Sequence, residues 1–171
     1  MDLAHIKWMM KEALTVCRKE NIDDSLLLPL VILHDCGYAI TPKNNSFKLT
    51  TRKQHMRKGA EITKKILGKI DYPKKKVKKI INYVFVHDNW ALGDNSIYRK
   101  DKILSVFNDL DFIWMVTPRG FQEVGKILNK NPQDMLEYLE NNEKLNNRPF
   151  FAPTTKKLFY SYLKKRTNSL K

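Results

Sequence analysis

Apolar residues recur three and four apart along almost the whole chain, and nowhere do they alternate with polar ones over the length of a strand. From Asp2 to Glu20, Leu3, Ile6, Met10, Ala13, Leu14 and Cys17 share one helical face, with Asp2 placed to cap the first turn. A second helix is predicted to begin near Asp24 or Ser25. It takes Pro29 in its early turns, where a missing N–H is tolerated, and stops at Gly37. An Asn-rich stretch (41–48) leads to a third helix over about 51–67, in which Gly59 and Ala60 are small enough for close packing. A fourth runs from Pro73, read as its first helical residue, to about His87. A fifth is predicted over 97–115, shorter ones over 119–129 and 132–141, and a last one after Pro153. No repeat and no linker interrupts this series. The expectation is an all-α helical bundle in one domain spanning 1–171, with helices of about 116–166 closing it.

At 171 residues and 42% hydrophobic, the chain has enough apolar side chains for a core of that kind. Thirty-two Lys and Arg against eighteen Asp and Glu give a net charge of +14, which favours phosphorylated ligands or nucleic acid as partners. The excess peaks in KKILGKIDYPKKKVKK (64–79). That run holds one aromatic residue, Tyr72, and no arginine, so it suits a solvated helix face better than a stacking surface for a nucleic-acid strand. Cys17 and Cys36 have neither the number nor the spacing of a disulfide framework or a thiolate zinc site. No run reaches the roughly 20 apolar residues of a membrane helix, and the first residues read as an amphipathic helix. A cytoplasmic protein without membrane contact is expected.

The chemistry lies in the histidines. There are four, at 5, 34, 55 and 87, each assigned to a different helix, and two are followed by aspartate: His34-Asp35 after the run LLLPLVIL, and His87-Asp88 after VFV. A later AspLeuAsp occupies 109–111. Helices that bring their ends together can offer such nitrogen and oxygen donors to one divalent cation. The order His5, His34-Asp35 before Gly37, His55 before Gly59-Ala60, His87, then Asp111 in NDLDFI resembles the HD-domain metal-dependent phosphohydrolases over about residues 5–115.

That resemblance implies an all-α bundle and a first metal held by His5, His34, Asp35 and Asp111, with Asp109 as the alternative to Asp111. His34-Asp35 is then the namesake doublet. In two-metal members of the family a second ion is bound at positions like His55 and His87, with the doublet's aspartate bridging both. His87 is accordingly expected to be a second-site ligand or a phosphate contact, and Asp88 a group that orients it. The family commonly has a basic or polar residue after the late aspartate, where this chain has Phe112.

The implied activity is hydrolysis of a nucleotide or other small phosphoester by a metal-activated water, with one or two ions of Mn, Fe, Mg, Ni or Zn. Asp35 and His87 are expected to take part, and Lys58, at i+3 from His55, to hold phosphate. Arg52, Lys53, Arg57, Arg99, Lys100 and Lys102 are further cations near the expected ligands. Tyr38 and Trp90 flank the doublets and serve either core packing or base stacking. Two other functions fit the same residues: a metal-binding protein without turnover, acting as sensor or partner, and a basic nucleic-acid-binding module with structural histidines.

Overall fold

Helix α1 (Leu3–Glu20) turns Ile6, Met9, Ala13, Val16 and Cys17 inward. Leu3 and Leu14, which the periodicity placed on the same stripe, are exposed. The computed structural model describes residues 3–41 and 47–170, so the expected cap Asp2 and most of the Asn-rich loop lie outside the described residues. Among the described residues there is no strand, and the fold is all-α. After α1 come α2 (Asp24–Leu33), α3 (Leu49–Lys69), α4 (Lys74–Val86), α5 (Ile97–Lys100) and α6 (Lys102–Trp114). They are followed by α7 (Pro118–Ile127), α8 (Pro132–Glu140), α9 (Lys144–Asn147) and α10 (Pro153–Ser169). Short 3₁₀ turns cover Cys36–Ile40 and Asn89–Leu92.

Three boundaries differ from the periodicity. The second helix stops at Leu33 rather than Gly37, because Asp35 leaves helical geometry at φ −95°, ψ 4° and the chain tightens into the turn Cys36–Ile40. Pro73 precedes α4 as its cap and is not its first helical residue. The helix predicted over 97–115 is two helices. Asp101 is extended (φ −122°, ψ 115°), and its carboxylate accepts from the amides of Ile103 and Leu104 and from the Tyr83 hydroxyl.

Helix α3 packs along α4 and against the turn Cys36–Ile40, α1 lies on α2 and α6, and α6 lies on α10. The buried residues form two clusters. One, including Leu27, Leu30, Ile80, Val84, Phe107 and Leu110, fills the space among α1, α2, α4 and α6. The other, including Ile113, Val116, Met135, Leu139 and Phe159, joins the end of α6 to α7, α8 and α10. The apolar side of α10 therefore packs inward, through Phe159 and Leu163. The lysines of 64–79 lie on the outer surface of α3 and α4, where Lys76 pairs with Asp23 at 3.3 Å. No helix among the described residues is long and apolar enough to cross a membrane.

Candidate metal centre

Five segments bring their polar ends to one place. His5 comes from the first turns of α1, His34 and Asp35 follow the last turn of α2, His55 is on α3, His87 follows α4, and Asp111 is on α6. Three rings are oriented by their own helices: the Nδ1 atoms of His34, His55 and His87 lie 2.9, 3.3 and 2.7 Å from the carbonyl oxygens of Val31, Thr51 and Val84. A backbone carbonyl can only accept, so each Nδ1 donates and each Nε2 faces the centre. Packing fixes the rings further. Tyr38 stacks on His55 at 4.0 Å, Trp114 on His5 at 5.0 Å, and Phe107 meets His34 and His87 edge-on.

Asp35 sits in the middle. Its carboxylate oxygens lie 3.3 Å from His34 Nε2, 3.7 Å from His55 Nε2 and 3.9 Å from His87 Nε2. The Asp111 carboxylate is 3.2 Å from His5 Nε2 and 4.0 Å from His34 Nε2. Donor atoms of His5, His34 and Asp35 all fall within 4.8 Å of one another, and so do those of Asp35, His55 and His87. Ligands each about 2.1 Å from one ion lie roughly 3–4 Å apart, so both triads have the span of a cation site and they share Asp35. The Nε2 atoms of His5 and His34 are buried and make no hydrogen bond. Set beside the Asp111 and Asp35 carboxylates, these two nitrogens, once free of protons, are the donor set a divalent cation would take.

The charges are strongly coupled. Burial alone would raise the Asp35 carboxyl, but the imidazoles of His34, His87 and His5 hold it far below the usual range. Burial alone would lower His34, yet Asp35 and Asp111 beside it raise its pKa to about 9. His55 is pulled down to about 4 by burial and by His87, and is neutral at pH 7. The Tyr38 hydroxyl is pushed up by burial and by Asp35 and Asp88, so it stays protonated.

The two late aspartates face opposite ways. Asp111 points to His5 and His34, whereas Asp109 is buried and accepts from Lys144 Nζ, the Phe151 amide at 2.9 Å and the Thr155 hydroxyl at 2.7 Å. Asp88 does not take the place expected of it: Val84 orients His87, and the Asp88 carboxylate faces Arg52 at 2.6 Å, Trp90 Nε1 at 3.1 Å and His55 Nε2 at 3.6 Å. Lys58 is not brought to the centre. Its amine pairs with Glu61 at 3.2 Å on the outer side of α3, while Arg52, at i−3 from His55, turns inward.

The centre lies at the base of a cleft of about 1220 Å³ that continues to α7 and α8. In a chain of net charge +14 the described lining is acidic. Asp35, Asp88 and Asp111 at the centre and Glu123, Asp134, Glu137 and Glu143 further out face only three Lys or Arg residues: Arg52, Lys130 and Arg148. Arg148 comes from the irregular stretch after α9, where no periodicity marks it. Being an arginine in a lysine-rich chain is its one signal in the sequence.

The chain matches no curated protein and no solved structure. It does match the model of the HD domain family over residues 2–113, a segment that contains all four histidines, Asp35 and Asp111 and ends one residue short of the end of α6. The chain belongs to the HD domain family.

Proposed function

We propose that the protein is a hydrolase of small phosphoesters, with a nucleotide as the substrate class and a dinuclear metal site as its centre. The observation that carries this reading is the pair of triads sharing Asp35 at the base of an open cleft. His5, His34, Asp35 and Asp111 would hold one cation, and Asp35, His55 and His87 a second. Bound there, divalent ions would supply a nucleophile at neutral pH and offset the negative charge that builds on phosphoryl oxygens.

The protein's own groups prepare this. The carbonyls of Val31, Thr51 and Val84 engage Nδ1 of three imidazoles and turn each Nε2 toward the centre, so ligation requires no ring rotation. His55 is neutral at working pH and needs no proton removed. Asp88 draws the Arg52 guanidinium to within reach of the centre, where a cation can meet an anionic substrate. Asp35, held ionised, keeps an oxygen toward each triad. Both Tyr38 and Trp90 line the cleft, and they give a base or another flat group an aromatic wall.

The test is metal content and turnover together. Protein purified without chelator should carry at least one transition metal per chain. With Mn²⁺ or another divalent ion it should hydrolyse at least one member of a panel of nucleoside monophosphates, dinucleoside polyphosphates and cyclic nucleotides, and chelator should abolish this. Metal-replete protein that turns over none of them overturns the reading. In that case tight RNA or DNA binding that weakens steeply with salt would identify a nucleic-acid-binding module. Metal without either behaviour would identify a sensor.

A further inference from the structure

Arg148 is 4% exposed, yet no carboxylate among the described residues pairs with it directly, and Glu143 and Asp88 act on it only from further away. Its Nε donates to Asn108 Oδ1 at 3.2 Å and its Nη1 to Asn95 Oδ1 at 2.6 Å, and both acceptors are neutral amides. The guanidinium also lies 4.7 Å from the centre of the Trp90 ring. A buried cation is ordinarily paired with an opposite charge, because desolvating it costs more than neutral hydrogen bonds return. Here the positive charge is left facing a cleft.

Its neighbours tie it to the metal centre. Asn108, which holds Nε, is one helical turn before Asp111 on α6. Trp90, on which the guanidinium lies, donates through Nε1 to Asp88, and Asp88 holds Arg52. Arg52 lies over the same indole, also at 4.7 Å, and is one turn before His55 on α3. Two guanidiniums thus converge on one tryptophan at the rim of the two triads, and both line the cleft. Arg52 has Asp88 in a close ion pair, whereas Glu143 and Asp88 act on Arg148 only from beyond ion-pair distance.

We propose that Arg148 binds the phosphate group of the substrate beside the metal centre, so that the segment beyond the family-matched residues 2–113 completes the site. The inference rests on the phosphohydrolase reading for the identity of the anion. The guanidinium's planar donors match phosphate oxygens, and a position fixed by Asn95, Asn108 and Trp90 lets it bind without first being ordered. A residue serving only to tie the segment after α9 to α6 and to the stretch before α5 would need the two hydrogen bonds and not the charge.

The probe is inorganic phosphate, titrated calorimetrically into the metal-loaded full chain. Arg148→Gln retains amide donors and removes the charge, and Arg148→Lys retains the charge. Phosphate affinity should fall about tenfold or more in Arg148→Gln with metal content unchanged, and recover in part in Arg148→Lys. Where a substrate is turned over, KM should rise more than kcat falls. Phosphate affinity within twofold of the parent in a folded Arg148→Gln protein would overturn the proposal, as would absence of phosphate binding by the metal-loaded parent.

A measurement on the parent covers the case in which the variant does not fold. The Nε–H resonance of Arg148 should shift as phosphate is added, and an unmoved resonance overturns the proposal. Phosphate bound through Arg148 without turnover of any panel member upholds this site and overturns the hydrolase reading. Turnover unaffected by Arg148→Gln does the reverse.

Discussion

A methyl group at position 37 would stand 1.9 Å from the His55 carbonyl oxygen and 2.7 Å from the Gly59 amide nitrogen. Gly37 therefore lets the turn after His34-Asp35 press against α3 at the level of His55, and this contact sets the doublet beside the second triad. Gly37→Ala should cost about 1–3 kcal/mol or more and lower metal content, as denaturation midpoints and metal analysis would show. Gly68→Ala is the control: nothing lies within 4 Å of the added carbon, and it should stabilise α3 by about 0.5–1 kcal/mol. Asp35 belongs to both triads, so Asp35→Ala should empty both, whereas His87→Ala should lower the second ion's occupancy and spare the first. Loss of all metal from His87→Ala would show that the triads are not separate sites. Protons should compete with metal. Asp35 and Asp111 raise His34 to about 9 against the opposing effect of burial. In metal-free protein this imidazolium contributes stability that is full below the free-histidine pKa and is lost as pH rises through about 9. Loading near pH 7 should therefore release about one proton from His34, and apparent affinity should rise up to about tenfold per unit between pH 7 and 9. Calorimetry in buffers of different ionisation enthalpy would measure the proton release.

Helix α6 presents two carboxylates two residues apart, which a helix must send to different sides. Asp111 goes to the centre, and Asp109 to Lys144, Phe151 and Thr155, where it anchors the chain before α10. The two should fail differently. Asp111→Ala should lose metal from a protein that still unfolds cooperatively, whereas Asp109→Ala leaves Lys144 buried and unpaired and should cost about 3–5 kcal/mol of stability. A large stability loss from Asp111→Ala with a small one from Asp109→Ala would reverse the assignment. That His5, His34-Asp35, His55, His87 and Asp111 would converge was legible in the sequence, because histidines are few and these residues come near helix ends in an order that resembles the family. Which of two aspartates turns inward was legible only through the resemblance, since helical phase separates the pair without saying which side is the centre. Helix ends were harder to read. Asn21, Asp71 and Asn129 take positive φ of 50°, 54° and 52° just past α1, α3 and α7, in positions commonly held by glycine. The amides of Ile22, Tyr72 and Lys130 then reach back to the carbonyls of Cys17, Leu67 and Gly125. Asn and Asp also cap helix starts and occupy turns, so their side chains alone do not announce a stop. The break at Asp101 escapes the apolar pattern for a related reason, because Ile97, Leu104 and Phe107 keep a nearly helical spacing across it.

Across the whole molecule, α6 joins the two hydrophobic clusters, with Leu110 in one and Phe112 and Ile113 in the other. The helices beyond the family match are thereby packed onto the element that carries Asp111. Their contribution to the cleft could not be read from the chain, because Arg148 follows the short helix α9, which no periodicity predicts, and reaches Asn108 and Asn95 across 40 and 53 positions of sequence. The preference for Lys58 over Arg52 failed for a different reason. Both lie one turn from His55, and the acceptors decide between them: Asp88 draws Arg52 inward, while Glu61 holds Lys58 outside. Charge is distributed unevenly at this scale. The +14 surface draws anions from a distance, with a reach of about 8 Å at physiological salt, whereas the described cleft lining is mostly carboxylate. Far field and near field thus have opposite signs, and cations at the centre reverse only the near one. Metal-free protein should gather phosphate anions loosely around itself and admit few of them, and loaded protein should admit them. If the protein is the hydrolase proposed above, its metal-free form would then neither sequester substrate nor compete for it with the form that is ready to act.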